Sequence, residues 1–326
     1  MGKTRWSYSR MLIVDSHTEG EPTRVILEGG PDLGSGSLAE RADILATQYR
    51  DFYRSVVVEP YGQEAMVGAL FTPPTRPDCV TGVIYFDAAA VIGMCGHGTI
   101  GVAATLAHLG KIGIGTHKIE TPVGVVEITL TDKNTVTVKN IDSFRYKHSV
   151  AIMVPGVGEV TGDIAYGGNW FYMVENSPVP VQPSNIRELT DVGIAIREAI
   201  VANELTGKEG AEIDHIVLYG PALTNNGHSR NFVLCPDNAF DRSPCGTGCS
   251  ARLACLAADD RLKPGEKINQ ESTIGSGYTL SYELSNQPTG AFLNIVPSIE
   301  GQAFITREGQ LMLNDHDPLK AGFAQE

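Results

Sequence analysis

The sequence of 326 residues has no long apolar segment and no excess of basic residues. None of its segments reaches the roughly eighteen consecutive apolar residues that a membrane-spanning helix requires. The first apolar run ends at Asp15 and is too short for the core of a signal peptide. Lysine and arginine number 25 against 38 aspartates and glutamates, which gives a net charge of −13. We therefore expect neither a membrane protein nor a nucleic-acid partner, since the latter requires a basic face.

Disulfide and nucleotide-binding signals are also missing. The six cysteines show no dense spacing and the chain has no Asn-x-Ser/Thr sequon, which predicts a reducing compartment, the cytoplasm. Gly34-Ser35-Gly36 lacks the third glycine of a dinucleotide loop, and the complete Walker pattern is absent. Neither ATP nor NAD is implied, and we expect no cofactor. An anionic substrate would have to be captured by local amide groups, because the overall charge repels it.

What the sequence does contain is a repeat centred on two cysteines. Gly93-Met94-Cys95-Gly96-His97-Gly98-Thr99 returns as Ser243-Pro244-Cys245-Gly246-Thr247-Gly248-Cys249. Without a gap, the alignment pairs identical residues: Cys95 with Cys245, Gly96 with Gly246, Gly98 with Gly248, Ala104 with Ala254, and Leu106 with Leu256. The length also fits two domains. We predict a first half over residues 1–150 and a second over 151–326, and leave open whether the C-terminal strands return to the first half.

Each cysteine precedes a glycine-rich turn that leads into small and apolar residues, which predicts the start of a buried helix. At such a place the helix dipole lowers the pKa of a thiol, and the free amides offer an anion site. For Cys79, Cys235 and Cys255 we expect the ordinary role of a small core residue.

Other segments predict the scaffold. An apolar stripe from Ser37 to Val56 predicts an amphipathic helix with a Ser37–Glu40 capping box, and residues 185–203 predict a second helix capped by Asn185. Residues 56–60 predict a strand. The polar residues 15–24, between two short apolar runs, favour a turn over a site. The polar tail, residues 314–326, is expected to fray.

Two opposed cysteines suit inversion at a carbon. If the amides after both cysteines hold a carboxylate, one thiolate can remove the α-proton while the other sulfur, as a thiol, returns a proton to the opposite face. Three other interpretations use the same residues. A zinc site could draw on Cys245, Cys249, Cys255 and His97, although their spacing is not that of structural zinc sites. A redox disulfide could join Cys95 to Cys245. A non-enzymatic amino-acid-binding protein could use the helix ends, but it would have no need of two cysteines.

Four separated motifs resemble the proline racemase family, most closely its 4-hydroxyproline 2-epimerase branch. They are residues 15–24 (Asp-Ser-His-Thr-Glu-Gly-Glu-Pro-Thr-Arg), 94–101 (Met-Cys-Gly-His-Gly-Thr-Ile-Gly), 167–171 (Gly-Gly-Asn-Trp-Phe) and 241–248 (Asp-Arg-Ser-Pro-Cys-Gly-Thr-Gly). The resemblance covers nearly the whole chain. It implies an α/β fold of two pseudo-symmetric halves of the diaminopimelate-epimerase type, each with strands around a central helix and with the active site in the cleft between them.

The resemblance also implies an activity and its residues. The activity is the cofactor-independent epimerisation at C2 of trans-4-hydroxy-L-proline to cis-4-hydroxy-D-proline. Cys95 would be the base and Cys245 the acid in one direction. The predicted substrate-binding residues are Gly96, His97, Asp241, Gly246, Thr247 and, for the hydroxyl, His215. His97 could instead cap its own backbone, Asp241 could only form a turn, and His215 could be a core histidine.

Relatives within the family mark the alternatives. Proline racemases share both cysteines, so the thiols do not exclude proline as the substrate. Dehydratases of trans-3-hydroxy-L-proline carry serine or threonine at the position of the first catalytic cysteine, and Cys95 therefore argues against that activity here.

Cys249 stands where the family usually has threonine. The expected partner is a small-molecule substrate, 4-hydroxyproline or proline, and the sequence does not decide whether the chain forms a homodimer.

Overall fold

Helices begin directly after Cys95 and Cys245 in a computed structural model of the chain, which describes residues 10–286 and 292–323. Both helices were predicted from the repeat, and both are confirmed. Contacts between Cα atoms divide the described chain into two units. The first contains the residues up to Val138 and those from Gln302 onward, and the second contains Lys139–Gly301. The junction thus differs from the predicted residue 150, because the strand that crosses residue 150 pairs within the second unit.

The first unit contains both strands and helices. They are β1 (Met11–Thr18), β2 (Glu21–Glu28), α1 (Leu38–Gln48), α2 (Arg50–Val57), β3 (Val67–Thr72), β4 (Thr81–Phe86), β5 (Val91–Ile92), α3 (Gly96–His108), β6 (Gly115–Thr121), β7 (Gly124–Leu130) and β8 (Thr135–Lys139). The sheet curves around α3, because strands distant in the sheet, β1 and β7, both contact this helix.

The second unit repeats this plan. Its elements are β9 (Phe144–Val154), β10 (Gly158–Tyr166), β11 (Trp170–Val174), α4 (Ile186–Ala202), β12 (His215–Gly220), β13 (Ser229–Leu234), α5 (Gly246–Ala258), β14 (Ile268–Ser272), β15 (Gly277–Leu284) and β16 (Ile295–Leu311), with short 3₁₀ turns at Pro183–Asn185 and Lys208–Gly210. Here α5 contacts β9, β10, β11 and β15. The last part of β16 pairs with β1, so the chain returns to the first unit at its C-terminal end.

The order of strand pairings confirms the duplication. In the first unit, β1–β2 is antiparallel, β2–β3 parallel, β3–β4 antiparallel, β4–β6 parallel and β6–β7 antiparallel. In the second unit, the series from β10 to β15 shows the same alternation. Parallel neighbours require a crossover, and the two crossovers in each unit carry its helices. One crossover carries the scaffold helices, α1 and α2 or α4, and the other carries the cysteine helix.

The scaffold helices cover apolar clusters. In the first unit, Leu45, Phe52 and Val56 pack against β1 to β4, and in the second, Leu189 and Ile196 pack against β9 to β13. The Ser37–Glu40 capping box is confirmed. Asn185 lies at the N-cap position of α4 as predicted, but its side chain makes no capping hydrogen bond, because Nδ2 donates to the Pro180 carbonyl instead.

Two other segments differ from the prediction. Val56 and Val57 belong to α2 and not to a strand, because burial against the core outweighs their β-propensity. The polar residues 15–24 form the end of β1 and the start of β2, with a turn at Glu19 and Gly20.

In the described part of the tail, Phe323 donates its amide to the Glu59 carbonyl. Residues 324–326 of the predicted tail lie outside the described residues. Among residues 10–286 and 292–323, no helix has both the length and the apolar character needed to span a bilayer.

An ion pair explains how these polar strands are buried. Arg24 donates from Nε and Nη2 to Asp15 Oδ1 and Oδ2 at 2.7 and 2.8 Å, and from Nη1 to the Val56 carbonyl at 2.9 Å. The side chains are 2% and 8% exposed. The pair therefore fastens the β1–β2 hairpin to the end of α2.

We expect Arg24→Met to lower the free energy of unfolding by about 3–5 kcal/mol, because it leaves the Asp15 carboxylate buried without its main partner. Urea unfolding followed by circular dichroism measures this. The matched control is Arg76→Met, which removes an exposed pair with Asp78 and should change the free energy of unfolding far less, because solvent screens an exposed ion pair. Equal losses for the two variants would contradict the structural role of the buried pair.

Candidate active site

Cys95 caps the N-terminus of α3 from an extended conformation, with φ −136° and ψ 119°. Its Sγ accepts a hydrogen bond from the amide of Gly98 at 3.4 Å, and the residue is 7% exposed. The first amides of a helix have no partner within the helix, so a sulfur at this position satisfies one of them. Gly96, predicted to bind the substrate, is the first residue of α3.

The imidazole of His97 lies beside the Cys95 thiol. Its Nδ1 is 3.4 Å from Sγ, and the residue is 7% exposed. The carbonyl of His97 accepts a hydrogen bond from Thr18 Oγ1 at 2.9 Å. Thr18 of the β1–β2 hairpin thus fixes the backbone of His97, and the His97 imidazole lies beside the Cys95 sulfur.

Close packing between α3 and this hairpin depends on Gly101. A Cβ at this position would lie 2.9 Å from Ser16 Oγ and 3.3 Å from Thr23 Oγ1. Both values are shorter than ordinary van der Waals contact, so a larger residue would push the hairpin away from α3. Glycine therefore allows Thr18 to approach the first turn of the helix.

Cys245 occupies the equivalent position of α5 with a different backbone. Its φ of 64° and ψ of 108° lie in a region that residues other than glycine rarely adopt. Its amide donates to Ser243 Oγ at 3.1 Å, and the residue is 5% exposed. Such a conformation costs about 1–3 kcal/mol, and strained residues of this kind cluster at functional sites. Gly246, the predicted counterpart of Gly96, is the first residue of α5.

Thr247 and Asp241 both lie near Cys245. The Thr247 hydroxyl is 3.7 Å from Cys245 Sγ. Asp241 is 5% exposed, and its Oδ1 accepts a hydrogen bond from the Ser243 amide at 2.8 Å. Asp241 therefore does form a turn, as one interpretation of the sequence expected. Its charge also acts on the cysteine.

Burial raises the pKa of the Cys245 thiol well above its ordinary value, and the negative charge of Asp241 raises it further. The helix N-terminus does lower this pKa through the amide of Gly248, but burial and Asp241 outweigh that effect, so the expected net lowering is wrong for Cys245. For a fully buried sulfur, the desolvation cost of the thiolate is larger than the stabilisation that the helix dipole gives to its charge. Cys245 is consequently a thiol at neutral pH.

His215 is held by two neighbours. Its Nδ1 is 2.7 Å from Asp214 Oδ1, and its ring centroid is 4.8 Å from that of Phe171. Phe171 belongs to the same buried cluster as Cys245. The structure thus connects His215 to the surroundings of Cys245 through one aromatic ring.

The remaining cysteines bear on the zinc and disulfide interpretations. All six cysteines are free thiols. Cys249 donates to the Pro244 carbonyl at 3.2 Å, and Cys255 contacts Met173 within the core. Over the described ranges, no group of three or more histidine, cysteine, aspartate or glutamate residues is arranged to hold a metal ion.

Two residues that hydrogen-bond to the helix turns after Cys95 and Cys245 were not predicted from the sequence. The sequence pattern favours a turn over residues 15–24, which include Thr18, and predicts no role for Asn169, whose Nδ2 donates to Thr247 Oγ1 at 3.1 Å. Both lie in the motifs that carry the family resemblance. Their presence in those motifs was the only available signal, because neither residue shows a spacing pattern of its own.

The chain matches the model of the proline racemase family over residues 13–324. Proteins named 4-hydroxyproline 2-epimerase from Ruegeria pomeroyi and Roseibium aggregatum are each 57% identical to it over 312 residues, which is 96% of this chain and 98% and 99% of theirs. A crystal structure of a hydroxyproline epimerase from Agrobacterium vitis with bound trans-4-hydroxy-L-proline is 26% identical, with a TM-score of 0.87, and the match covers 99% of this chain and 97% of that one.

We expect Cys245 to react with iodoacetamide with a pH midpoint above the usual thiol value of about 8.5. Asp241→Asn should lower this midpoint, because removing the negative charge favours the thiolate while the amide oxygen can still accept from Ser243. Mass spectrometry of the peptide containing Cys245 measures the alkylation rate at each pH. Glu198→Gln, on the exposed side of α4, is the matched charge control. A midpoint that does not move in Asp241→Asn would contradict the electrostatic role of Asp241.

Proposed function

We propose that this chain, which belongs to the proline racemase family, epimerises trans-4-hydroxy-L-proline at C2 to cis-4-hydroxy-D-proline. The observation that carries the proposal is a buried cysteine at the N-terminus of the central helix in each unit. Support for the substrate comes from the names of the relatives and from the ligand of the Agrobacterium vitis structure.

Recognition of the substrate would follow from its charges. The amides of Gly96 and His97, together with those of Gly246 and Thr247, would bind the carboxylate, because the first amides of a helix point outward and attract anions. The carboxylate of Asp241 would bind the positively charged ring nitrogen. A zwitterionic amino acid would thus be held by local groups despite the net charge of the protein.

The reaction would transfer two protons on opposite faces of C2. The Cys95 thiolate takes the proton from C2, and the electron pair of the broken C–H bond moves into the carboxylate. The Cys245 thiol then gives its proton to the other face of C2 and becomes a thiolate. The product has inverted configuration, and the enzyme is left with a Cys95 thiol and a Cys245 thiolate, which is the state that catalyses the reverse reaction.

The assignment of acid and base in this direction is supported by the surroundings of the two sulfurs. Burial and Asp241 raise the pKa of Cys245 and keep it protonated, as an acid requires. Beside Cys95, the His97 imidazole can donate a hydrogen bond to a thiolate. The pair titrates as a unit, since each sulfur must hold the opposite protonation state.

Preference for the hydroxyl group would depend on His215. Its pairing with Asp214 through Nδ1 leaves Nε2 to hydrogen-bond a substrate hydroxyl. The proposed reaction needs no cofactor. A cytoplasmic location and a homodimer stay predictions.

The decisive assay follows trans-4-hydroxy-L-proline in D₂O by proton NMR and chiral chromatography. We expect the C2 proton signal to disappear as cis-4-hydroxy-D-proline appears. Proline and trans-3-hydroxy-L-proline are tested in parallel. Faster turnover of proline would reassign the chain as a proline racemase. Loss of water from trans-3-hydroxy-L-proline would reassign it as a dehydratase. Ligand binding without exchange at C2 would indicate a binding protein.

Cys95→Ser and Cys245→Ser should each lower kcat by about 10²–10⁴, because a hydroxyl is a poor acid or base at neutral pH. Initial rates of epimerisation measure the loss. Cys235→Ser and Cys79→Ser control for thiol loss elsewhere in each unit and should retain normal rates. Full activity in either of the first two variants would remove that cysteine from the mechanism.

A further inference from the structure

We infer that Asn169 is a positioning residue for Cys245 and that it acts through the hydroxyl of Thr247. The inference rests on the proposed function, in which Cys245 alternates between thiol and thiolate. Asn169 follows Gly167 and Gly168 in the turn between β10 and β11. This turn is part of a motif to which the proposed reaction assigns no role.

The direction of two hydrogen bonds carries the inference. Asn169 Nδ2 lies 3.1 Å from Thr247 Oγ1, and an amide nitrogen can only donate. The Thr247 oxygen therefore accepts this bond, and its single hydrogen is left for another acceptor. Cys245 Sγ lies 3.7 Å from the same oxygen, within the range of a hydrogen bond to sulfur. Thr247 is only 4% exposed, so little solvent competes for that hydrogen.

The backbone of the turn is fixed against α5. Asn140 Nδ2 donates to the Gly167 carbonyl at 3.0 Å and to Ser250 Oγ at 2.8 Å, which ties the turn to the first turns of the helix. A Cβ at Gly167 would lie 2.1 Å from the Thr247 carbonyl oxygen, so only glycine permits this approach. The Asn169 side chain is thereby brought to Thr247 by contacts independent of its own amide.

This arrangement matters when Cys245 loses its proton. The resulting thiolate is buried beside the negative charge of Asp241, and a hydroxyl that donates to it offsets part of that cost. Without Asn169, the Thr247 hydroxyl is free to rotate and turn its hydrogen elsewhere. Cys95 has the His97 ring beside it in place of a threonine, so Asn169 should affect only one of the two cysteines.

The test measures the pH midpoint of alkylation of each cysteine in Asn169→Ala, in Thr247→Val and in the double variant. We expect each single variant to raise the midpoint of Cys245 by about one pH unit, the effect of losing a hydrogen bond to a charged group. The double variant should show no further rise, because both changes remove the same hydrogen bond. The midpoint of Cys95 should stay unchanged and serves as an internal control.

A matched control is Asn203→Ala, which removes an amide donor to the Ala199 carbonyl at the end of α4. It should leave the Cys245 midpoint unchanged. If Asn169→Ala does not fold, Asn169→Ser provides the same comparison with a polar side chain that is too short to hold Thr247 in the same way. A purely structural role for Asn169 would change the melting temperature without moving the Cys245 midpoint.

An unchanged Cys245 midpoint in Asn169→Ala, or shifts that add in the double variant, would overturn the inference. Its failure is distinguishable from that of the proposed function. If the wild-type protein does not exchange the C2 proton of trans-4-hydroxy-L-proline, the proposed function fails, while the alkylation midpoints still report on the link from Asn169 to Cys245. If exchange occurs and the midpoints do not move, only the positioning role is lost.

Discussion

The free amide groups at the start of two buried helices are the constraint on which the rest of the structure depends. Helix amides that are shielded from water must find partners within the protein or in a ligand. In α3 the Cys95 sulfur accepts a hydrogen bond from the amide of Gly98. Thr18 of the β1–β2 hairpin donates a hydrogen bond to the His97 carbonyl in the first turn. The curved sheet, the glycine at position 101 and the buried Asp15–Arg24 pair all serve to hold this helix end in place.

The surroundings of the two cysteines share a pattern but differ in chemistry. Cys95 has an extended backbone and an imidazole neighbour, whereas Cys245 has a left-handed backbone, a hydroxyl neighbour and a nearby carboxylate. Two identical sites would favour the same protonation state in both sulfurs, but inversion at a carbon requires opposite states. The differences between the halves are therefore as important for the proposed reaction as the repeat itself.

Sequence patterns predicted the elements whose local signals agree with their burial. The repeat predicted α3 and α5, and the capping box predicted the start of α1. Val56 and Val57 were misassigned because their strand propensity is overridden by packing. The raised pKa of Cys245 could not be predicted either, because it depends on complete burial and on Asp241. The contacts of Thr18 and Asn169 join distant parts of the chain, which no local pattern encodes.

The central claim is that two different sulfurs move the two protons. Its most direct test uses trans-4-hydroxy-L-proline labelled with deuterium at C2 in ordinary water, stopped after a small fraction has reacted. With one sulfur on each face, the cis-4-hydroxy-D-proline carries a hydrogen from the solvent, while the remaining substrate keeps its deuterium. Deuterium carried into the product, or lost from the substrate as fast as product forms, would indicate a single base and would contradict the two-cysteine mechanism.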